Sequence, residues 1–353
     1  MRLTVLSVSY PLAKVSPRTA GGAEQVLATI DKTLLLEGHR SLVLAPEGSR
    51  CHGLLIPVAV PSGSLDQTAK QEARRAFKRA LDRALDHYSV DVVHMHGLDF
   101  FDYLPDSDVP VVVSLHLPLE WYDQRALLPL PRNITRVFVS EVQARTACPE
   151  FAINCVIPNG VDLDELRPVH KRGDYVVAMG RVCPEKGFHL ALDAAERAGQ
   201  KLILAGTVFD YPEHRSYFES MIAPRLTERI RFIGPVGGEH KRQLLGGAKC
   251  LLTSSLANET SSLIAMEAMA CGTPVIAWRS GALPEVVRDE KTGFLVSSTE
   301  EMANAITRVH QINRDECRRE AERRFDSRVM VSRYVDLYER VASKTEIPEL
   351  LAA

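Results

Sequence analysis

Along the chain, short apolar runs alternate with longer stretches in which apolar residues return every three or four positions. In the first half this pattern predicts strands at 3–9, 41–45, 91–95, 110–115, 136–140 and 154–157, and helices at 22–37, 67–88 and 141–148. Runs such as Val109-Pro110-Val111-Val112-Val113 are almost continuously apolar, which suits strands of a parallel sheet covered on both faces. The rhythm pauses over 162–173, a charged segment containing Pro168 that reads as a linker. It resumes with strands at 175–180, 201–206, 229–233, 249–254, 273–278 and 293–296, with helices between them, the first over 187–198. From 298 onward the pattern is helical. Phe325-Asp326-Ser327 reads as a break with a cap, followed by an amphipathic helix at 328–344.

Two successive α/β units predict two doubly wound, Rossmann-like domains, 1–165 and 166–327, followed by a C-terminal segment at 328–353. A chain of 353 residues is also too long for one ordinary core. Such domains should face each other across a cleft and bind ligands at the carboxyl ends of their strands, so the residues found there carry the chemistry.

Composition narrows the class. Apolar residues make up 45% and charged residues 25% of the chain, and the formal net charge is -2. That is a globular protein with no global field to draw nucleic acid. The 7 cysteines are scattered with no Cys-x-x-Cys, which points to a reducing compartment and away from a disulfide framework or a structural zinc site. Met1 to Ser9 reads as a first buried strand rather than a signal peptide, and no window approaches the apolar length of a membrane span. The expected location is the cytoplasm.

Gly180-Arg181-Val182-Cys183-Pro184-Glu185-Lys186-Gly187 follows a strand and opens a helix. Arg181 and Lys186 therefore share a loop beside a helix N-terminus, an arrangement suited to a diphosphate, although two solvated surface cations would read the same way. In Asn258-Glu259-Thr260-Ser261-Ser262-Leu263, three hydroxyl residues can cap a helix that begins at Leu263 and ends at Gly272. Glu259 then lies at the helix mouth. Glu267 lies inside an otherwise apolar helix and needs donors: the two hydroxyls of a ribose would serve, and so would a structural ion pair with a nearby Lys or Arg.

The first half contributes Gly21 and Gly22 at a strand-to-helix turn, where backbone can approach a ligand. His94 and His96 end one strand and His116 ends another. A metal pair of His94 and His96 lacks a third ligand at zinc spacing, so the expectation is no metal and a substrate contact for His116. The dinucleotide fingerprint, the Walker loop, the nucleophile elbow and His-Glu-x-x-His are absent.

Taken together these segments resemble the retaining glycosyltransferases of group 1, family 4, with the GT-B fold. The resemblance rests on the Glu259-to-Glu267 pair, Glu267-Ala268-Met269-Ala270-Cys271-Gly272-Thr273-Pro274, Gly180-Arg181 with Lys186-Gly187, Ile157-Pro158-Asn159-Gly160-Val161-Asp162, and Gly281 with Pro284-Glu285. It implies that Arg181 and Lys186 hold the donor diphosphate, Glu267 the ribose and Glu259 the donor sugar. It implies further that Thr260, Ser261, Ser262 and Leu263 offer backbone contacts at the donor. His116 would lie at the transfer site, and Gly21-Gly22 would approach the phosphate. No cofactor or metal would be required, and the final helix would return to the N-terminal domain. The donor expected is a UDP-sugar, then a GDP-sugar; the acceptor is unidentified. Two departures stand out: Thr260-Ser261-Ser262 replaces the usual Pro-Phe-Gly, and Gly281-Ala282 stands where Gly-Gly is common. An epimerase or hydrolase acting on a nucleotide sugar shares the architecture.

The helix around 69–88 carries Lys70, Arg74, Arg75, Lys78, Arg79 and Arg83 on one side and Ala73, Phe77, Ala80, Leu81, Ala84 and Leu85 on the other. It reads as a solvated basic face over a core stripe. The competing reading is a weak peripheral contact with an anionic membrane.

Overall fold

Val111, Val112 and Val113 have no more than 1% of their surface exposed, as expected of a strand enclosed in a parallel sheet. The computed structural model describes residues 1–16, 19, 21–61, 66–147 and 155–343. The chain divides into two units. One is Met1–Asn159 together with the chain from Arg328 onward; the other is Gly160–Ser327. Residue 148 of the expected helix 141–148, residue 154 of the expected strand 154–157 and residues 344–353 lie outside the described residues.

The first unit holds β1 (Thr4–Val8), β2 (Arg40–Pro46), β3 (Leu54–Val58), β4 (Val92–Met95), β5 (Val111–Leu115), β6 (Ile134–Phe138) and β7 (Cys155–Val156). Their order is β3-β2-β1-β4-β5-β6-β7, and every pairing is parallel. The chain starts mid-sheet, runs outward to β3, then returns to β4 and runs out the other way. The order reverses between β1 and β4, the place where a doubly wound sheet opens a ligand crevice.

The second unit repeats the scheme. It holds β8 (Val176–Arg181), β9 (Leu202–Thr207), β10 (Ile230–Phe232), β11 (Leu251–Thr253), β12 (Val275–Trp278) and β13 (Gly293–Val296), in the order β10-β9-β8-β11-β12-β13. Here the reversal falls between β8 and β11.

Three expectations needed correction. Strand β3 was not expected at all. It is an edge strand, half-exposed and interrupted by Pro57, and only an edge tolerates a proline without breaking the ladder. Strand β6 runs two residues earlier than the apolar run suggests and stops at Phe138, because Ser140 is spent capping the helix Glu141–Arg145 by accepting from the Gln143 N–H at 3.1 Å. The segment 162–173 is no linker. Leu163, Leu166 and Val169 are buried, and the Arg318 guanidinium donates to Leu166 O at 2.6 Å. The second unit begins at Gly160 and takes in 160–165. The Val161 N–H donates to Phe325 O at 2.8 Å and the Ser327 N–H donates to Val161 O at 3.0 Å, which ties the two ends of the unit together.

The helix Gln67–His87 buries Ala73, Phe77, Ala80, Leu81 and Ala84 and is capped by Asp66, whose carboxylate accepts from the Ala69 N–H at 2.8 Å. The final helix, Ser327–Ala342, packs within the first unit, where Tyr334 and Tyr338 are fully buried. No described helix is long and apolar enough to cross a membrane.

Candidate active site

The loop that leaves β8 turns through a single 3-10 turn, Pro184–Lys186, into the helix Phe188–Arg197. Gly187 sits between them at φ +60°, and a Cβ there would lie 2.2 Å from Ser254 O, so only glycine allows this approach. The loop leaving β11 is stitched against it. The Leu256 N–H donates to Glu185 O at 2.8 Å, and Ser254 Oγ donates to Gly187 O at 2.8 Å. These bonds set Lys186 opposite Glu259, and the two form an ion pair.

Arg181 ends β8. It is half-buried; its carbonyl accepts from Cys183 Sγ at 3.8 Å, while its guanidinium makes no hydrogen bond or ion pair with any described residue and acts on Glu185 only through the longer-range field. A guanidinium in that position is an open anion site. The helix Leu263–Ala270 starts nearby in sequence from Ser262, whose side chain does not cap it, so its first N–H groups stay open. Ser261 Oγ is buried without a partner, and Thr260 is buried. Gly281, at φ +52°, lies under this loop, and a Cβ there would sit 2.3 Å from Glu259 O. The Ala282 N–H donates to that same oxygen at 2.6 Å.

Glu267 is 6% exposed. Its partner is Lys241 on the helix Gly238–Gly247, which fulfils the ion-pair reading of the sequence. Lys241 was not identified beforehand. It is one cation among several on a polar helix, and nothing in its spacing marks it.

In the first unit, His116 directly follows β5. Its Nε2 shares a hydrogen bond of 3.0 Å with His96 Nδ1, and the two rings stack with centroids 5.3 Å apart. His94 spends both ring nitrogens on Ser114 Oγ at 2.8 Å and Tyr338 Oη at 2.6 Å, so neither remains for a metal. Ser114 Oγ also meets Tyr334 Oη at 2.7 Å. Burial holds His94 and His96 well below the usual histidine range and brings His116 down to about 4, so all three rings are neutral near pH 7. Gln143 fixes the backbone on both sides of His116: its Nε2 donates to Leu115 O at 2.7 Å and to Leu117 O at 2.9 Å. Gly21 and Gly22 open the helix Gly22–Leu36, and the Glu24 carboxylate stands against Gly21.

The first unit also has a pocket of about 690 Å³ at its own strand reversal. Tyr10 follows β1, Leu98 to Asp102 follow β4, and Trp121 to Arg125 follow β5; the helix Gln67–His87 closes it. Arg74 is paired with Asp99 and Asp102, Lys78 with Asp82 and Asp106, and Arg125 with Asp102 and Asp123. Arg75 and Arg79, one helical turn apart, pair with no described residue. The pocket lining therefore offers two unspent positive charges and the ring of Trp121, which is 39% exposed.

Comparison with known proteins places the chain in a family. Residues 173–311 match the family described as Glycosyl transferases group 1, and residues 20–165 match Glycosyltransferase Family 4. The phosphatidyl-myo-inositol mannosyltransferase of Mycobacterium leprae is 30% identical over 285 residues, 72% of this chain and 74% of that protein. AviGT4, a glycosyltransferase involved in avilamycin A biosynthesis, superposes with a TM-score of 0.72 at 26% identity, over 97% of this chain and 98% of its own. Anabaena HepE, solved with UDP and glucose, superposes with a TM-score of 0.74 at 22% identity, over 96% and 100%. With two parallel α/β sheets of 7 and 6 strands and these neighbours, the fold is GT-B, and the chain belongs to the group 1, family 4 glycosyltransferases.

Proposed function

We propose that this glycosyltransferase moves a hexosyl group from a nucleoside-diphosphate sugar, UDP-linked before GDP-linked, to a hydroxyl acceptor that carries an anionic group, with retention of anomeric configuration. The observation that carries the donor half is the unpartnered Arg181 guanidinium at the strand reversal of the second sheet. A diphosphate supplies the missing anion. HepE, crystallised with UDP and glucose, supports the choice of nucleotide.

In this reading Arg181, Lys186 and the open N–H groups ahead of Ala265 bind the diphosphate, and Ser261 Oγ gains a partner. Glu259, oriented by Lys186, accepts from the donor sugar. Lys241 occupies Oε1 of Glu267, and the ribose diol takes the other oxygen. As the anomeric C–O bond breaks, negative charge grows on the leaving diphosphate, where the cations stabilise it more than they stabilised the ground state. The acceptor oxygen forms the new bond on the same face, and its proton passes to the departing phosphate oxygen. His116, neutral, serves as a hydrogen-bonding contact to the sugar. No step uses a metal.

The pocket in the first unit supports an acceptor with a phosphate, as does the phosphatidyl-myo-inositol in the name of the M. leprae relative. Lys70, Arg75, Arg79 and Arg83 hold no ion pair with a described residue, so a weak contact of this helix with an anionic lipid surface belongs to the same proposal.

The test combines binding and turnover. Melting temperatures are measured with UDP, GDP, ADP and their sugar conjugates for the wild type, Arg181→Ala and Lys186→Ala. A ligand at about 100 times its dissociation constant adds ~2.7 kcal/mol, a shift of several degrees. Turnover is then followed with and without myo-inositol phosphate, and the anomer of the product is read by NMR. A shift with one nucleotide, lost in both variants, and acceptor-dependent turnover are expected. No shift with any nucleotide would remove the donor assignment, and donor loss that ignores acceptor would make the protein a hydrolase.

A further inference from the structure

Cys183 lies two residues beyond Arg181, Glu185 sits in the turn that follows, and His214 comes from the separate helix Pro212–Tyr217. One ligand atom from each lies within 4.8 Å of the other two. The Cys183 side chain is buried, His214 is half-buried and Glu185 is exposed. His214 Nδ1 is itself buried and has no hydrogen-bond partner, although a buried ring nitrogen without one is costly. The imidazole is held by edge contacts to Tyr211, with centroids 5.1 Å apart at 73°, and to Phe209 at 6.4 Å and 68°. An ordinary surface histidine would turn such a nitrogen to water. Here the ring is kept beside a thiol and a carboxylate.

We infer that Cys183, Glu185 and His214 form a binding site for a single zinc-class transition-metal ion, with one coordination position left open. A thiolate, an imidazole and one carboxylate are zinc ligands. Magnesium and calcium prefer all-oxygen sets. The thiol is the group that must change. A thiol binds such an ion as the thiolate, so its proton passes to solvent when the ion binds. The ion would tie the loop carrying Arg181 and Lys186 to the helix after β9, coupling metal occupancy to the geometry of the diphosphate loop. The site adjoins Arg181, whose charge acts on all three ligands, but the proposed transfer step itself needs no metal.

The experiment uses the full chain, stripped with a chelator and titrated with zinc against a chromophoric competitor, with cobalt as the optical probe. One equivalent of zinc should bind, and cobalt should show a thiolate charge-transfer band. Cys183→Ser should abolish the band. His214→Ala should weaken zinc by more than about tenfold, since even outer-sphere partners are worth roughly 10–100-fold. Circular dichroism and the nucleotide-induced melting shift, read without metal, confirm that each variant is folded. Wild-type protein that takes up no stoichiometric zinc would overturn the inference. So would zinc binding that persists in folded Cys183→Ser and His214→Ala.

Discussion

The ammonium of Lys241 donates to Oε1 of Glu267, joining two side chains that are 17% and 8% exposed. The carboxylate sits on a helix of eight residues in which every other side chain is apolar, so it depends on this one cation. Lys241→Met should cost about 3–5 kcal/mol, the range for stranding one member of a buried pair. Adding Glu267→Gln to it should restore most of the loss. Urea unfolding of the two single variants and the double variant checks this, and a double-variant loss equal to the sum of the two single losses would show that the pair is not coupled.

Arg181 behaves oppositely because it has no partner to strand. Arg181→Ala should leave stability within about 0.5 kcal/mol. It should weaken nucleotide binding by about 1.5–3 kcal/mol, the worth of a hydrogen bond to a charged group. Calorimetric titration with UDP separates the two effects. A large loss of stability with unchanged nucleotide affinity would mean that the guanidinium serves the fold.

Gly281→Ala places a Cβ 2.3 Å from Glu259 O at a backbone angle of φ +52°. The atom it meets is backbone and cannot swing aside, so the loop bearing Glu259 must move. Turnover should fall by about 10²-fold or more, as when reacting groups are displaced by an ångström, with a smaller change in UDP affinity. Unaltered turnover would show that the position of Glu259 does not matter.

The clustered histidines His94, His96 and His116 make the stability of the first unit sensitive to acid. In the unfolded chain such rings take a proton near 6.5; in the folded chain His116 takes one only near 4. Between these values the unfolded state binds more protons, so the stability is complete above 6.5 and is lost as pH falls toward 4. His116 alone accounts for up to ~3 kcal/mol. Urea midpoints at about pH 7.5 and about pH 5 should differ more in the wild type than in His94→Gln/His96→Gln, in which fewer buried rings remain to titrate.

Arg75→Ala and Arg79→Ala together remove the unspent charge of the first-unit pocket. The apparent KM for a phosphorylated acceptor should rise, with kcat and the donor KM nearly unchanged. The salt dependence of the acceptor KM should flatten, because exposed charges are screened. An unchanged acceptor KM would place the acceptor elsewhere.

The alternation of strands and helices apart from β3, the parallel character of both sheets, and the positions of Arg181, Lys186, Glu259 and Glu267 at strand ends, in loops or in a helix were legible in the chain. Enclosed parallel strands must be continuously apolar, and loops at their carboxyl ends carry the polar residues. A run like Val111-Val112-Val113 and a lone Glu267 among alanines and methionines are local signals. Pairings between distant segments are not local. Nothing near Glu267 in sequence announces Lys241, nothing near His116 announces Gln143 or His96, and Cys183 and His214 meet because β8 and β9 lie side by side. Leu54–Val58 was missed because an edge strand lacks the second buried face that makes a strand visible. Sequence by itself determined which residues could be buried and which had to be charged. Only the tertiary structure decided which charges are already neutralised, as Glu267 is by Lys241, and which, like Arg181, still lack a partner. The cost of burying a charge depends on what stands within a few ångströms of it, and folding sets that.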